Sequence, residues 1–179
     1  MEFEILETSR LYLKAFTPDH YRYLFHQCSS DEIKSQLGLF TDEAFEAEKK
    51  KWEKGLTSHD RSFLHFQLIH KNTNEILGGC GYPRWYHHHF RAEIGYSLNQ
   101  DSFKRQGYMS EAIDPILHYG FRKMNLKRIE ACVGPDNQAS IKLLEKFKFT
   151  REGYLRQHYY KDGRMYDSLI YSLLREEFT

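Results

Sequence analysis

The sequence is poor in cysteine, in excess charge of either sign and in long apolar runs. Its three cysteines, Cys28, Cys80 and Cys132, lie far apart in 179 residues and form no C-x-x-C spacing. An odd and scattered set of this kind is no disulfide framework, so we interpret the three as small core residues in a reducing compartment. No run of 18 apolar residues occurs, and we therefore expect no membrane-spanning helix and no membrane partner.

The charges nearly cancel, with 26 Lys plus Arg against 25 Asp plus Glu and a formal net charge of +1. This balance excludes a disordered tail protein, a histone-like basic binder and an acidic solvating protein. It also gives no support to a nucleic-acid partner, and we predict none. The first ten residues carry three glutamates and no apolar stretch typical of a signal peptide, so the expected location is cytoplasmic.

Hydrophobic residues make up 40% of the chain and aromatic residues 16%, which is enough for a sizeable core. The sequence shows no internal repeat, no low-complexity stretch and no linker rich in Pro, Gly or Ser. We therefore expect one domain over residues 1–179.

Hydrophobic periodicity predicts two early helices, a central meander of strands and a mixed C-terminal part. Thr17 is predicted to cap the first helix, with Pro18 in its first turn. The pair Asp162-Gly163 suits a tight primed turn in a C-terminal hairpin. Further helices are predicted at 43–56, 110–124 and 137–146, strands at 11–16, 62–70, 76–84, 91–99, 128–133, 154–160 and 165–174, and a loop at 85–90. The fold class is thus α+β or α/β.

The segment between the third central strand and the next helix has the character of an anion-binding loop. A strand ends at 96–98, a loop with basic residues and Gly107 follows, and a helix opens directly after it. Backbone N–H groups and the positive end of the helix dipole would then point at one place, and glycine permits close backbone approach. Neither the phosphate-loop signature nor G-x-G-x-x-G is present.

Several short segments resemble the GNAT superfamily of N-acetyltransferases in order and spacing. They occupy 92–96, 107–112, 128–131, 137–140, 144–149 and 152–153, and the opening 6–11 and closing 166–174 are also similar to its branch of ribosomal-protein N-terminal acetyltransferases. The resemblance implies about seven mostly antiparallel strands, about four helices, and acetyl-CoA held in a V-shaped cleft between two central strands. It also implies that the pantetheine arm pairs with Tyr96, Ser97 and Leu98. The family's loop pattern falls on Lys104, Gly107 and Met109, and implies that the pyrophosphate binds at Lys104, Arg105, Gln106, Gly107, Tyr108, Met109 and Ser110.

Acetyl transfer to an amine needs a proton acceptor for the amine and a proton donor for the leaving thiolate. Glu93 lies opposite the apolar row of Ile94, Tyr96 and Leu98, and a carboxylate on a central strand is unusual. We predict that it is the general base, which is also the role the resemblance implies. The alternative is a structural carboxylate paired with Arg91.

The fourth predicted helix offers the second catalytic candidate. Asn137 is predicted as its N-cap, and the resemblance adds a contact from Asn137 to CoA. Many family members carry a tyrosine acid later in this helix, where this sequence has Leu144. Ser140, one turn after Asn137, or a water molecule is then the expected proton donor.

His87, His88 and His89 stand in a row. Consecutive side chains point in different directions, so we predict no metal site here and instead a loop at the mouth of the acceptor cleft.

The predicted function is transfer of the acetyl group of acetyl-CoA to a primary amine by direct attack in a ternary complex. The acceptor is a protein N-terminal amine in the first interpretation, and a polyamine or other small amine in the second. A non-catalytic acyl-CoA sensor is the alternative from a different class. The sequence leaves open whether the protein is a monomer or a homodimer.

Overall fold

The computed structural model describes residues 2–58 and 60–178, and in these residues the fold is built on one mixed sheet of eight strands. The strands are β1 (Ile5–Glu7), β2 (Leu11–Phe16), β3 (Ser62–His70), β4 (Ile76–Tyr86), β5 (Arg91–Leu98), β6 (Arg128–Val133), β7 (Thr150–Lys161) and β8 (Arg164–Leu174). Their order across the sheet is β1-β2-β3-β4-β5-β6-β8-β7. All neighbouring pairs are antiparallel except β5 and β6, which run parallel.

Five α-helices pack on this sheet: α1 (Pro18–Gln27), α2 (Ser30–Leu37), α3 (Asp42–Glu53), α4 (Tyr108–Arg122) and α5 (Gln138–Lys146). The observed eight strands and five helices correct the expected seven and four by one short strand, β1, and one helix, α2. Helix α2 escaped prediction because Ile33 is its single buried residue. Its start is instead fixed by a capping box, in which Ser29 and Glu32 each bond the other's backbone N–H.

Two aromatic and aliphatic clusters cover the two faces of the sheet. Helices α4 and α5 pack on one face, against alternate residues of the central strands such as Phe66, Tyr82 and Ile94. The opposite face meets α1, α2 and α3 through a smaller cluster around Phe16, Tyr21 and Leu24. We call the first the α4 face and the second the α1 face.

Two local predictions from the sequence are confirmed, one at the start of α1 and one in the turn between β7 and β8. The Thr17 side chain accepts the backbone N–H of His20 and so caps α1, with Pro18 as its first residue. Asp162 and Gly163 both have positive φ, 49° and 82°, as a primed hairpin turn requires.

The predicted loop 85–90 is wrong in its first two residues. Strand β4 runs on to Tyr86 because Trp85 and Tyr86 pair with Ala92 and Arg91 of β5. Of the residues 85–90, His87–His89 form a 3-10 turn. Within residues 2–58 and 60–178 no helix has both the length and the apolar character needed to cross a membrane.

Candidate active site

The two parallel central strands separate partway along their length. β5 and β6 pair only from Arg91 to Glu93 against Arg128 to Glu130. Beyond Glu93, β5 stays bonded to β4 as far as Leu98, and β6 stays bonded to β8 as far as Val133. The edge of β5 that faces β6 is therefore unpaired over 94–98, and its free backbone groups can bind an extended ligand. This opening has the V shape that the resemblance implies, and it contains Tyr96, Ser97 and Leu98.

The start of α4 follows the open end of β5. Gly107 is its N-cap and has φ +82°, a left-handed conformation that suits glycine. No side chain caps this helix start, so its first N–H groups point outward with the positive end of the helix dipole. Tyr108, Met109 and Ser110 form the first turn, and Met109 is buried. The sequence placed this helix start two residues too late.

Lys104 and Gln106 of the loop before α4 have defined partners. The Lys104 ammonium lies 2.5 Å from Asp101 Oδ1, with both groups exposed. Arg105 adopts a left-handed φ of 61°, and Gln106 donates to the Ser102 carbonyl at 2.6 Å. Lys146, from the end of α5, donates to Ser110 Oγ at 2.5 Å. A further cation, which the sequence did not assign to the site, therefore lies at the first turn of α4.

Glu111 anchors this helix start to the first hairpin of the chain. Its carboxylate accepts from the hydroxyls of Thr8 and Ser9, from the Arg10 backbone N–H at 2.7 Å and from Arg10 Nε at 2.7 Å. These donors outweigh the effect of burial and lower the pKa of Glu111 to about 2. Arg10 also donates to the Gln106 carbonyl at 3.1 Å, which fixes the loop before Gly107.

Helix α5 brings a hydroxyl to the cleft. Asn137 is its N-cap, as predicted, and its Oδ1 accepts the backbone N–H of Ser140 at 3.1 Å. The Ser140 side chain lies close to the Tyr96 hydroxyl of β5. Burial raises the pKa of Tyr96, and the interaction with Ser140 partly offsets that rise. Sequence reasoning assigned Tyr96 only a backbone role and missed this hydroxyl pair, because the contact joins residues 44 positions apart.

Leu144 does not face the cleft. Its side chain is 2% exposed and belongs to the core between α5 and the sheet. A tyrosine at this position would have to displace core atoms, whereas Tyr96 and Ser140 place hydroxyls near the splayed strands.

Glu93 is the last residue of β5 that pairs with β6, and the cleft begins there. Its Oε2 accepts from Arg84 Nη1 at 2.6 Å, and this bond raises the pKa of Arg84. The alternative interpretation had the wrong partner in Arg91, because Arg84 is the direct cross-strand neighbour of Glu93, next to a β-bulge in β4. Arg91 pairs instead with Glu130 of β6 at 2.8 Å.

The histidine row directly precedes β5. His87–His89 form the turn before this strand, and β5 and β6 separate after Glu93, the third residue of β5. A place for this turn at the mouth of the acceptor cleft stays a prediction. Across residues 2–58 and 60–178, no group of three or more His, Cys, Asp or Glu side chains is arranged to hold a metal ion.

A cavity of about 410 Å³ opens on the α1 face, next to the cleft. Its walls come from α1, α3, the segment after α2, β3 and β4, and include His65, Glu48 and Pro83. Pro83 also lies close to Gly95 of β5, since a Cβ built on Gly95 would be 3.3 Å from Pro83 Cγ. The cavity thus adjoins β5 just beyond the point where β5 and β6 separate.

Comparisons with known proteins agree with this geometry. A family model described as an acetyltransferase (GNAT) domain matches residues 10–150. The uncharacterized N-acetyltransferase YoaA of Bacillus subtilis (strain 168) is 34% identical over 174 residues, which are 97% of this chain and 98% of YoaA. The [ribosomal protein uS5]-alanine N-acetyltransferase of Escherichia coli (strain K12) is 29% identical over 119 residues, 66% of this chain and 61% of that protein.

A solved structure shows the same fold. The GNAT-family acetyltransferase from Bacillus anthracis superimposes with a TM-score of 0.68 at 27% identity, and the match covers 97% of this chain and 100% of that one. The resemblance predicted from sequence is confirmed: the chain belongs to the GNAT family and is an acetyl-CoA-dependent N-acetyltransferase.

Proposed function

We propose that the enzyme acetylates the N-terminal α-amine of a peptide or protein. The observation that carries this proposal is the charge balance of the α1 face around the cleft. The carboxylates of Glu93, Glu130 and Glu48 are each bonded to a basic side chain. A polyamine carries further cations besides the reacting amine and would need unpaired carboxylates to bind them.

The ion pair between Glu48 and Lys51 shows that the α1-face cavity offers this carboxylate already paired. Glu48 is the carboxylate in the wall of the α1-face cavity, and Lys51 donates to it at 2.6 Å. The cavity wall is otherwise largely apolar, with Leu37, Leu39 and Phe63 among its residues. Such a surface suits the first side chain of a peptide better than a chain of ammonium groups. The E. coli relative that acts on the alanine of a ribosomal protein supports the same acceptor class.

The cleft residues offer a binding position for each part of the donor, acetyl-CoA. The pantetheine arm would pair with the free edge of β5 at Tyr96, Ser97 and Leu98. The pyrophosphate would bind the N–H groups after Gly107, with Lys104, Arg105 and Gln106 on one side and Ser110 on the other. Asn137, at the start of α5, would contact the CoA moiety nearer its thiol.

The chemical step is direct attack of the neutral amine on the thioester carbonyl. The N–C bond forms, the C–S bond breaks, and the attacking nitrogen gives a proton to Glu93, whose hydrogen bond to Arg84 must lengthen to admit it. The departing sulfur takes a proton from the Ser140 and Tyr96 hydroxyl pair, which solvent then reprotonates. The products are an N-acetylated amine and CoA, with atoms and charge balanced.

Initial rates of thiol release test this proposal against its alternatives. Acetyl-CoA is offered with peptides that begin with Ala or Ser, with the same peptides blocked at the N-terminus, and with spermidine. We expect kcat/KM for an unblocked peptide to exceed that for spermidine by ~100-fold or more, about 2.7 kcal/mol of discrimination. Preference for spermidine would overturn the proposed acceptor, and acetyl-CoA binding without turnover on any amine would indicate a sensor.

A further inference from the structure

His65 of β3 is a polar side chain of the α1-face cavity that the chemical step above does not use. Cross-strand pairing places His65 opposite Gly81, and Gly81 opposite Gly95 of β5. Directly paired residues share one face of a sheet. His65 therefore lies on the face that also carries Glu93, in the row of Gly95, just past the point where β5 and β6 part.

The ring of His65 leans across β4 toward β5. A Cβ built on Gly79 would lie 2.1 Å from the ring carbon Cε1 and 2.5 Å from Nε2. Only glycine leaves room for the ring at this position. Gly79 is paired with Ser97 of β5, and adjacent strands lie ~4.8 Å apart, so the imidazole is about one strand spacing from the cleft edge.

The surroundings of the ring disfavour its charged form. Glu48 and Lys51 face it from α3, and they are ion-paired with each other at 2.6 Å. Tyr21 faces the same space from α1, beside Glu48. The surrounding protein lowers the pKa of His65, and Lys51 adds to this effect while Glu48 opposes it. A neutral imidazole has one ring nitrogen that accepts a hydrogen bond.

We propose that His65 binds the acceptor, and that its imidazole accepts a hydrogen bond from the acceptor's amine above Gly79 and directs that amine to the thioester. The proposal rests on the acetyl transfer proposed above, and adds a residue outside the acetyl-CoA loop. It requires no unpaired carboxylate, because the nitrogen lone pair of the neutral His65 imidazole binds the amine.

The first test removes the hydrogen-bond acceptor. His65→Leu is expected to raise KM for the acceptor by ~10- to 100-fold, the range for one hydrogen bond to a charged group, while Kd for acetyl-CoA stays within twofold of wild type. His65→Gln retains an accepting oxygen and is expected to recover part of the loss. The control is His158→Gln, an exposed histidine on the edge strand β7, which is expected to leave both constants unchanged.

The second test moves the ring without deleting it. Gly79→Ala places a Cβ where the ring now lies, and the ring must swing away because it is the end of a side chain. We expect the same rise in KM, and no further rise in the double variant with His65→Leu. Independent effects that add in the double variant would contradict the geometry.

A third measurement does not depend on any variant. In ¹⁵N-histidine-labelled wild-type enzyme bound to CoA, the His65 ring resonances, assigned by their loss in His65→Gln, are expected to shift when the acceptor is added. The acceptor used is whichever amine of the panel above turns over best, so failure of the peptide proposal would not decide this one. Unshifted resonances, or a His65→Leu enzyme with wild-type KM, would overturn the role of His65.

Discussion

Gly107 offers the sharpest test of how the enzyme holds its donor, because the chain contains a matched control. Gly107 and Gly163 both have φ +82°, but the first caps α4 beside the cleft and the second turns the β7–β8 hairpin. A Cβ at Gly107 would meet Arg10 Nη2 at 3.5 Å, an ordinary contact, and a Cβ at Gly163 would meet nothing within 4 Å. Valine at either site is therefore disfavoured by backbone conformation and not by a clash.

The magnitude follows from the left-handed φ. A β-branched residue held there costs about 1–3 kcal/mol. At Gly163 this cost falls on the hairpin turn alone, and the free energy of unfolding is expected to drop by that amount. At Gly107 the helix start must relax, so the N–H groups after it turn away from the pyrophosphate. We expect acetyl-CoA affinity to fall by ~5- to 150-fold, the equivalent of ~1–3 kcal/mol.

Isothermal calorimetry with acetyl-CoA and urea unfolding measure the two effects on each variant. The expected pattern is equal destabilisation of both proteins, with weakened acetyl-CoA binding only in Gly107→Val. If Gly107→Val bound acetyl-CoA as tightly as Gly163→Val does, the start of α4 would not be the pyrophosphate site.

Other changes test the remaining parts of the site. Glu93→Gln is expected to lower kcat by ~10²- to 10⁴-fold while Kd for acetyl-CoA is kept, as for a lost general base; wild-type turnover would leave Glu93 as the structural partner of Arg84. Ser140→Ala and Tyr96→Phe are each expected to lower kcat by ~10- to 10²-fold, about 1.5–3 kcal/mol, and a full rate in both would mean that the thiolate leaves without this pair. The pKa of Glu111 is about 2 in the folded protein against 4.5 ordinarily, so its contribution to stability is complete above pH ~4.5 and is lost as pH falls toward 2. Thermal unfolding should therefore show a smaller loss of Tm between pH 5 and 3 in Glu111→Gln than in wild type, and equal losses would refute the anchoring role.

Local chemistry explains which parts of the fold could be predicted from sequence. Strands 11–16 and 128–133 and the caps at Thr17 and Asn137 are found where expected, because apolar periodicity and capping residues act within a few positions of the chain. Helix α2 was missed because its stability comes from its capping box and one buried side chain, Ile33, and a three-residue strand such as β1 leaves too little alternation to detect.

The candidate site also has local features that were predicted from the sequence and long-range features that were not. Gly107 and its helix start are local features and were predicted. The partner of Glu93 was not, because a bulge between Gly81 and Arg84 shifts the register and brings Arg84 opposite the carboxylate. The Tyr96–Ser140 pair and the ring of His65 over Gly79 depend on how distant elements pack. The glycines of β4 were the only sequence signal for that close approach.

A crystal structure of the enzyme with CoA and an N-terminal peptide would test the account most directly. We expect the pantetheine arm between β5 and β6, the pyrophosphate at the N–H groups after Gly107, and the sulfur within hydrogen-bond distance of Ser140 or Tyr96. The peptide amine would lie on the α1 face, between Glu93 and His65. CoA bound elsewhere than between the splayed strands, or a peptide amine on the α4 face, would contradict it.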